Sequence, residues 1–314
     1  MDNSRFWGRC LVISAVVCTL MTPAMGFDQP LINLGFTSFV DGGPPSGPGH
    51  YFQQYFQYIN SYKLPDHSAS PSADVEIFGS LSQYVYQSDQ ELLFGGKWGI
   101  DVIQPVGYID STDPSGAVTD SGGAFGDLLV GPYLQWDPIM GDNGPVFMHR
   151  IELQTMWPTG GHERTKGLNL GSNHFSFNPY WAATYFMTPK WTATCRLHWL
   201  WNDKNNDPFT GGASPAVNHT QAGQVFHANF ASSYEVEPKK LRLGVNGYYM
   251  KQITDSKKDG ASQDGREQVL GIGPGALYSL SADTHLFFNA FYESHVRYRG
   301  KGSRYTFRLV HHFD

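Results

Sequence analysis

Between residues 191 and 201 the chain reads Trp-Thr-Ala-Thr-Cys-Arg-Leu-His-Trp-Leu-Trp. Odd positions carry Trp191, Ala193, Cys195, Leu197, Trp199 and Trp201, while even positions carry Thr192, Thr194, Arg196, His198 and Leu200. Alternation with period two describes a strand whose two faces meet different media. Roughly ten steps of about 3.3 Å, tilted by about 40°, climb about 25 Å, the height of the lipid-facing band of a membrane barrel. Tryptophans stand at both rims of that band.

The pattern recurs along the chain. Segment 304–313 sets Tyr305, Phe307, Leu309 and Phe313 against Thr306, Arg308, Val310 and His312. Segment 285–297 sets Leu286, Phe288, Ala290 and Tyr292 against Asn289, Glu293, His295 and Arg297. Segments 268–280, 241–250, 224–234, 175–187, 146–157, 128–136, 92–108, 73–87 and 51–64 complete a set of twelve with 191–201. Their connections alternate in length. Short ones fall at 88–91, 137–144, 188–190, 235–239 and 281–284; longer, Gly-rich ones fall at 65–72, 110–123, 158–171, 202–219, 254–265 and 298–303. An even strand number with short-long alternation predicts an all-β fold, a transmembrane antiparallel up-and-down barrel of about twelve strands, with short turns and both termini periplasmic. Pro105, Pro132, Pro179 and Pro274 interrupt strands, where they are expected to mark bulges that curve the wall.

Composition narrows the class. Residues 1–26 have the form of a secretory signal: Arg5 and Arg9 in the positive region, an apolar run over 10–21, and Ala24-Met25-Gly26 as the cleavage site. The remaining domain division is 27–49 as an N-terminal segment and 50–314 as the barrel. No later run is apolar enough for a membrane-spanning helix, and the mean hydropathy is −0.35. The chain nevertheless carries 21 Phe, 17 Tyr, 8 Trp and 35 Gly, as expected where half of every strand faces lipid and half faces water. The net charge of −6 argues against nucleic acid as a partner. Beyond the signal only Cys195 remains, so neither disulfide nor Cys metal cluster is expected, and the histidines lack metal-ligand spacing. No metal or cofactor is called for.

Several stretches resemble a family of bacterial outer-membrane proteins named for the meta-pathway of phenol degradation. They are Phe39-Val-Asp-Gly-Gly-Pro-Pro-Ser-Gly-Pro-Gly-His-Tyr51 with Gln54-Tyr55, Gly126-Asp127-Leu128 with Gly131-Pro132-Tyr133, Pro158-Thr159-Gly160, and Ser172-x-His174-Phe175-Ser176-Phe177-x-Pro179. The resemblance covers nearly the whole chain after residue 26 and implies a porin-like uptake barrel for hydrophobic or aromatic compounds. Such barrels usually end on an aromatic residue, whereas here Phe313 is followed by Asp314. The partners implied are outer-membrane lipid and lipopolysaccharide, the barrel assembly machinery, and a small hydrophobic or aromatic substrate.

Face assignment places Glu76, Lys97, Asp101, Arg150, Glu152, Arg196, Arg242, Glu293, Arg297 and Arg308 in the lumen. Charges of both signs on adjacent strands predict cross-strand ion pairs, serving either as a structural lattice or as a selective constriction. Tyr84, Tyr133, Tyr180, Tyr248, Phe287 and Phe291 are the lumen aromatics expected to guide a ligand. Segment 27–49, rich in Gly and Pro, reads either as a lumen plug or as a periplasmic tail. His174-Phe175-Ser176 has the spacing of outer-membrane lipid hydrolases, but its parity faces the lumen, away from lipid substrate, and no oxyanion donor is evident. The chain is therefore expected to be no enzyme and to act as a passive channel, the alternatives being a lipid hydrolase and a structural or adhesive barrel.

Overall fold

The structure, a computed structural model, describes residues 29–44, 47–63, 73–113, 118–209 and 217–313. The signal at 1–26, residues 27–28, the loop expected at 65–72 and Asp314 lie outside the described residues. Twelve long strands form the wall: β1 Gly49–Lys63, β2 Asp74–Leu93, β3 Gly96–Thr112, β4 Leu128–Gln135, β5 Gly144–Trp157, β6 Ser176–Phe186, β7 Trp191–Asn202, β8 Val225–Glu237, β9 Leu241–Gln252, β10 Gln268–Ser279, β11 Thr284–Arg297 and β12 Lys301–Phe313. Each pairs antiparallel with its sequence neighbours, and β1 closes on β12 from His50↔Phe313 to Lys63↔Lys301. The sheet thus has no free edge, as a strand wall in lipid requires. Short strands at 123–125 and 139–141 extend it, and a separate three-stranded sheet (220–221, 256–258, 261–263) caps the long-loop end.

Alternation decides which side each residue faces. On β7, Thr192, Thr194, Arg196, His198, Leu200 and Asn202 are buried inside while Trp191, Leu197 and Trp199 are exposed. Exposed Trp98, Tyr185, Trp191, Tyr234 and Tyr278 ring the short-turn end, and Trp157, Trp199 and Phe226 stand near the long-loop end. These are the two aromatic girdles of a membrane barrel.

Three local expectations are corrected. The turn expected at 88–91 lies instead at Phe94-Gly95, because β2 runs on to Leu93 through register shifts at Gln87/Glu91 and Glu91/Leu93. Both turn residues have positive φ, 53° and 75°, the left-handed geometry of a tight hairpin turn. Pro132, Pro179 and Pro274 carry no bulge, since pairing skips Pro179 on the β7 side and Pro274 on the β11 side but resumes in the same register. Opposite Pro105, by contrast, the partner segment holds one extra residue between Ile103↔Leu129 and Val106↔Phe125. Parity on β2 is opposite to that expected. Leu81, Gln83 and Val85 point inward, so Tyr84 is exposed, and Glu76 accepts hydrogen bonds from outward Tyr58 and Asn60. With aromatics and polar residues on both faces of β1 and β2, alternation there carries little sign of sidedness.

The family-like landmarks converge in space. Buried Asp127 accepts from the Gly160 N–H (3.0 Å) through Oδ1, and from the Ser172 N–H (2.8 Å) and hydroxyl (2.5 Å) through Oδ2. One carboxylate therefore fastens the loop before β4 to both ends of the loop between β5 and β6.

Candidate functional site

Residues 29–44 run inside the wall from its long-loop end toward its short-turn end. Near the long loops Asn202 donates to Gln29 Oε1 (3.2 Å), and Ile32 and Leu34 join Leu200, Val225, Tyr248, Met250, Val269 and Phe291 in a buried apolar cluster. Lower down, Asn229 grips the backbone twice, accepting from the Gly35 N–H (2.9 Å) and donating to the Asn33 carbonyl (2.9 Å). Asp41 then meets Arg196 in a bidentate pair, Nε–Oδ2 2.6 Å and Nη2–Oδ1 2.7 Å, with both side chains over nine-tenths buried. The Val40 N–H donates to Thr194 Oγ1 (3.2 Å), the Gly42 N–H donates to Thr184 Oγ1 (2.9 Å), and Gln135 donates to the Gly42 carbonyl (3.0 Å). Gly42 sits so close to the wall that a Cβ there would fall 2.4 Å from both the Thr184 nitrogen and the Met148 oxygen.

Beside this segment the barrel encloses a cavity of about 270 Å³, walled by Phe36, Phe39, Val40, Asp41 and neighbours on one side and by β1–β5, β7 and β9–β12 on the other. Its surface is part apolar (Leu81, Val85, Ile103, Leu129, Leu277, Phe287, Val310) and part polar, with Arg150, Arg196, Arg242, Arg308, Asp41 and Asp101 among the lining.

The residues singled out from sequence fall into three groups. Asp101, Tyr133, Arg150, Arg196, Arg242, Phe287 and Arg308 line the cavity. Glu152, Tyr180, Tyr248, Phe291 and Glu293 are buried inside without lining it. Glu152 accepts from the Tyr180 hydroxyl and from Gln154, and Gly131 makes room for it: a Cβ there would lie 2.3 Å from the Glu152 carboxylate. Arg150 donates to Tyr180 (2.7 Å), and the Arg196 guanidinium lies 4.2 Å from the Tyr180 ring centroid. Glu293 accepts from Tyr248 (2.7 Å) and Arg304 (3.2 Å), a cross-strand pair of the expected kind. Lys97 stands at the short-turn rim, paired with Asp137 at 2.7 Å. Arg297, expected in the lumen, is exposed. His295 has φ 51° and the β10–β11 register shifts between Gln268 and Leu270, so parity reverses beyond this bulge and Val296 turns inward.

Sequence reading missed Asp41, the partner of Arg196. An acidic residue in a Gly/Pro-rich segment outside any strand has no periodicity to report its facing. Tyr55, Gln83 and Gln135 were also missed, the first two because alternation on β1 and β2 is weak. The His174–Ser176 pair is buried and inward-facing; Ser176 donates to Asn202 Oδ1 (2.8 Å) and lies 3.2 Å from His174 Nδ1. Its hydroxyl proton is committed to Asn202 rather than to the imidazole that would have to remove it. Among the described residues no group of three or more His, Cys, Asp or Glu could hold a metal ion.

The sequence matches the family described as putative MetA-pathway of phenol degradation over residues 57–309. No curated protein matches the chain. Among solved structures, the fold is similar to an outer-membrane channel from Pseudomonas putida F1, with TM-score 0.73 and 18% identity over 90% of this chain and 100% of that one. The β domain of the Bordetella autotransporter BrkA aligns with TM-score 0.49 and 14% identity, over 85% of this chain and 100% of that one. The transport unit of the Escherichia coli autotransporter AIDA-I aligns at 0.48 and 10%, over 85% and 90%. Wall, girdles and likeness of fold make this a bacterial outer-membrane barrel.

Proposed function

We propose that this chain, which belongs to the family described as putative MetA-pathway of phenol degradation, is a channel for passive uptake of small hydrophobic or aromatic compounds across the outer membrane. One observation carries the reading: a closed barrel holds a cavity of about 270 Å³ whose lining includes a cluster of apolar side chains, Val85, Leu277, Phe287 and Val310 among them. That volume is just below the ~300–1,000 Å³ usual for drug-sized ligands, so it suits a small molecule. Residues 29–44 act as the plug that narrows the lumen; the support is the Asp41–Arg196 pair and the backbone grips by Asn229, Thr184 and Thr194. The girdled outer face contacts lipid and lipopolysaccharide, and the barrel assembly machinery inserts the chain. The protein is not a hydrolase, for the reason that Ser176 is buried on the lumen side with its proton given to Asn202.

The test is reconstitution of the purified chain in planar bilayers, paired with growth of a deletion strain on single-ring carbon sources. A channel gives small discrete current steps, and its deletion slows growth at low substrate concentration. Absence of both effects would leave the structural or adhesive barrel as the reading.

A further inference from the structure

Three buried guanidiniums in the lumen can be compared. Arg196 is held by Asp41 and Arg304 by Glu293. Arg308, 6% exposed, has no carboxylate within ion-pair distance among the described residues. Its guanidinium carbon lies 3.7 Å from the Phe287 ring centroid. Nη1 reaches the Tyr55 hydroxyl at 3.4 Å, and Nε has no partner. The guanidinium lies against the Phe287 ring, Nε is shut in without a partner, and the N–H groups of the nitrogens beyond it remain to donate to a carboxylate. Burying such a charge without a counter-ion is costly, so the site is built for an anion that arrives from outside.

The surroundings agree in charge and size. Four arginines line the cavity against two aspartates, Asp41 and Asp101, and Asp41 is already engaged by Arg196. Next to Phe287 the cavity wall is apolar, formed by Val85, Leu277 and Val310. A volume of about 270 Å³ fits one ring better than a drug-sized ligand.

We infer that the cavity binds a single-ring aromatic carboxylate, with the carboxylate on Arg308 and the ring against Phe287, Val85, Leu277 and Val310. The inference rests on the channel reading above and adds a negative charge to its substrate. A neutral hydrocarbon would leave Arg308 uncompensated; a small aliphatic acid would leave the apolar wall unfilled.

The probes are benzoate, benzyl alcohol and acetate, titrated by calorimetry into the purified full chain in detergent at fixed ionic strength. Benzyl alcohol has the ring without the charge, and acetate has the charge without the ring. Wild type is expected to bind benzoate at least tenfold more tightly than either. In Arg308→Met, which keeps the apolar stem, benzoate and benzyl alcohol should bind within twofold of each other; Arg308→Lys should retain part of the preference. Heat-modifiable gel migration establishes that each variant is folded, and the wild-type comparison stands even where a variant is not. Equal binding of benzoate and benzyl alcohol by wild type overturns the anion site and leaves a neutral aromatic channel. Equal binding of acetate and benzoate removes the ring requirement, and an undiminished preference in folded Arg308→Met removes Arg308; either outcome overturns the inference. Should no probe bind and no current flow in planar bilayers, the channel reading fails along with it.

Discussion

Replacing Asp41 by Asn should loosen residues 29–44 from the lumen without touching the wall. The carboxylate makes two short bonds to Arg196, and both side chains are more than nine-tenths buried. Asn keeps one acceptor oxygen, so the smallest loss is one charge-assisted hydrogen bond, about 1.5–3 kcal/mol. The largest is the cost of stranding a buried guanidinium, about 3–5 kcal/mol. At about 1.4 kcal/mol per factor of ten, the ratio of released to docked segment should rise by about one to three and a half orders of magnitude. The segment keeps its Asn229, Thr184 and Thr194 contacts and its buried Ile32, Leu34, Phe36 and Phe39. Brief openings are therefore expected rather than a permanently open pore. Single-channel recording in planar bilayers reads this directly as a larger fraction of time in a high-conductance level. Arg196→Met should behave similarly, and the double variant should add little to either single one, because both remove the same pair. If folded Asp41→Asn and Arg196→Met keep the wild-type open fraction, or if their effects simply add, the ion pair is not what holds the segment.

Gly42→Ala should also raise conductance, with charge unchanged, since its Cβ would fall 2.4 Å from wall backbone; currents equal to wild type would place the segment elsewhere. Leu197→Arg, on the lipid face, should cost about 2–4 kcal/mol if it lies near the bilayer midplane, seen as loss of heat-resistant migration in gels. By contrast, Thr194→Arg should still insert while displacing the segment, because Thr194 accepts the Val40 N–H. Asp127→Ala removes three hydrogen bonds between long loops; limited proteolysis of the intact barrel should then cut within 158–175 at least tenfold faster, at an unchanged wall.

Much of the fold was legible in the sequence because a membrane wall imposes its two media on every strand. Where lipid and lumen differ sharply, as along β7 and β12, alternation reported both strand and facing, and connection lengths reported which end was which. On β1 and β2 aromatic and polar residues occupy both faces, the contrast vanishes, and the sides of Glu76 and Tyr84 were misread. Bulges are equally invisible to a count of two. One residue with positive φ, His295, reverses parity and carries Arg297 outside. Individual charges were found, but their partners were not. Glu293 meets Arg304 across neighbouring strands, a local rule, whereas Arg196 meets Asp41 from 155 positions away. Only the tertiary structure could decide that, because the lumen joins residues with no fixed separation along the chain. The same holds for Arg308: its place on an inner face follows from alternation, but whether a counter-ion stands opposite depends on what the closed barrel gathers around it.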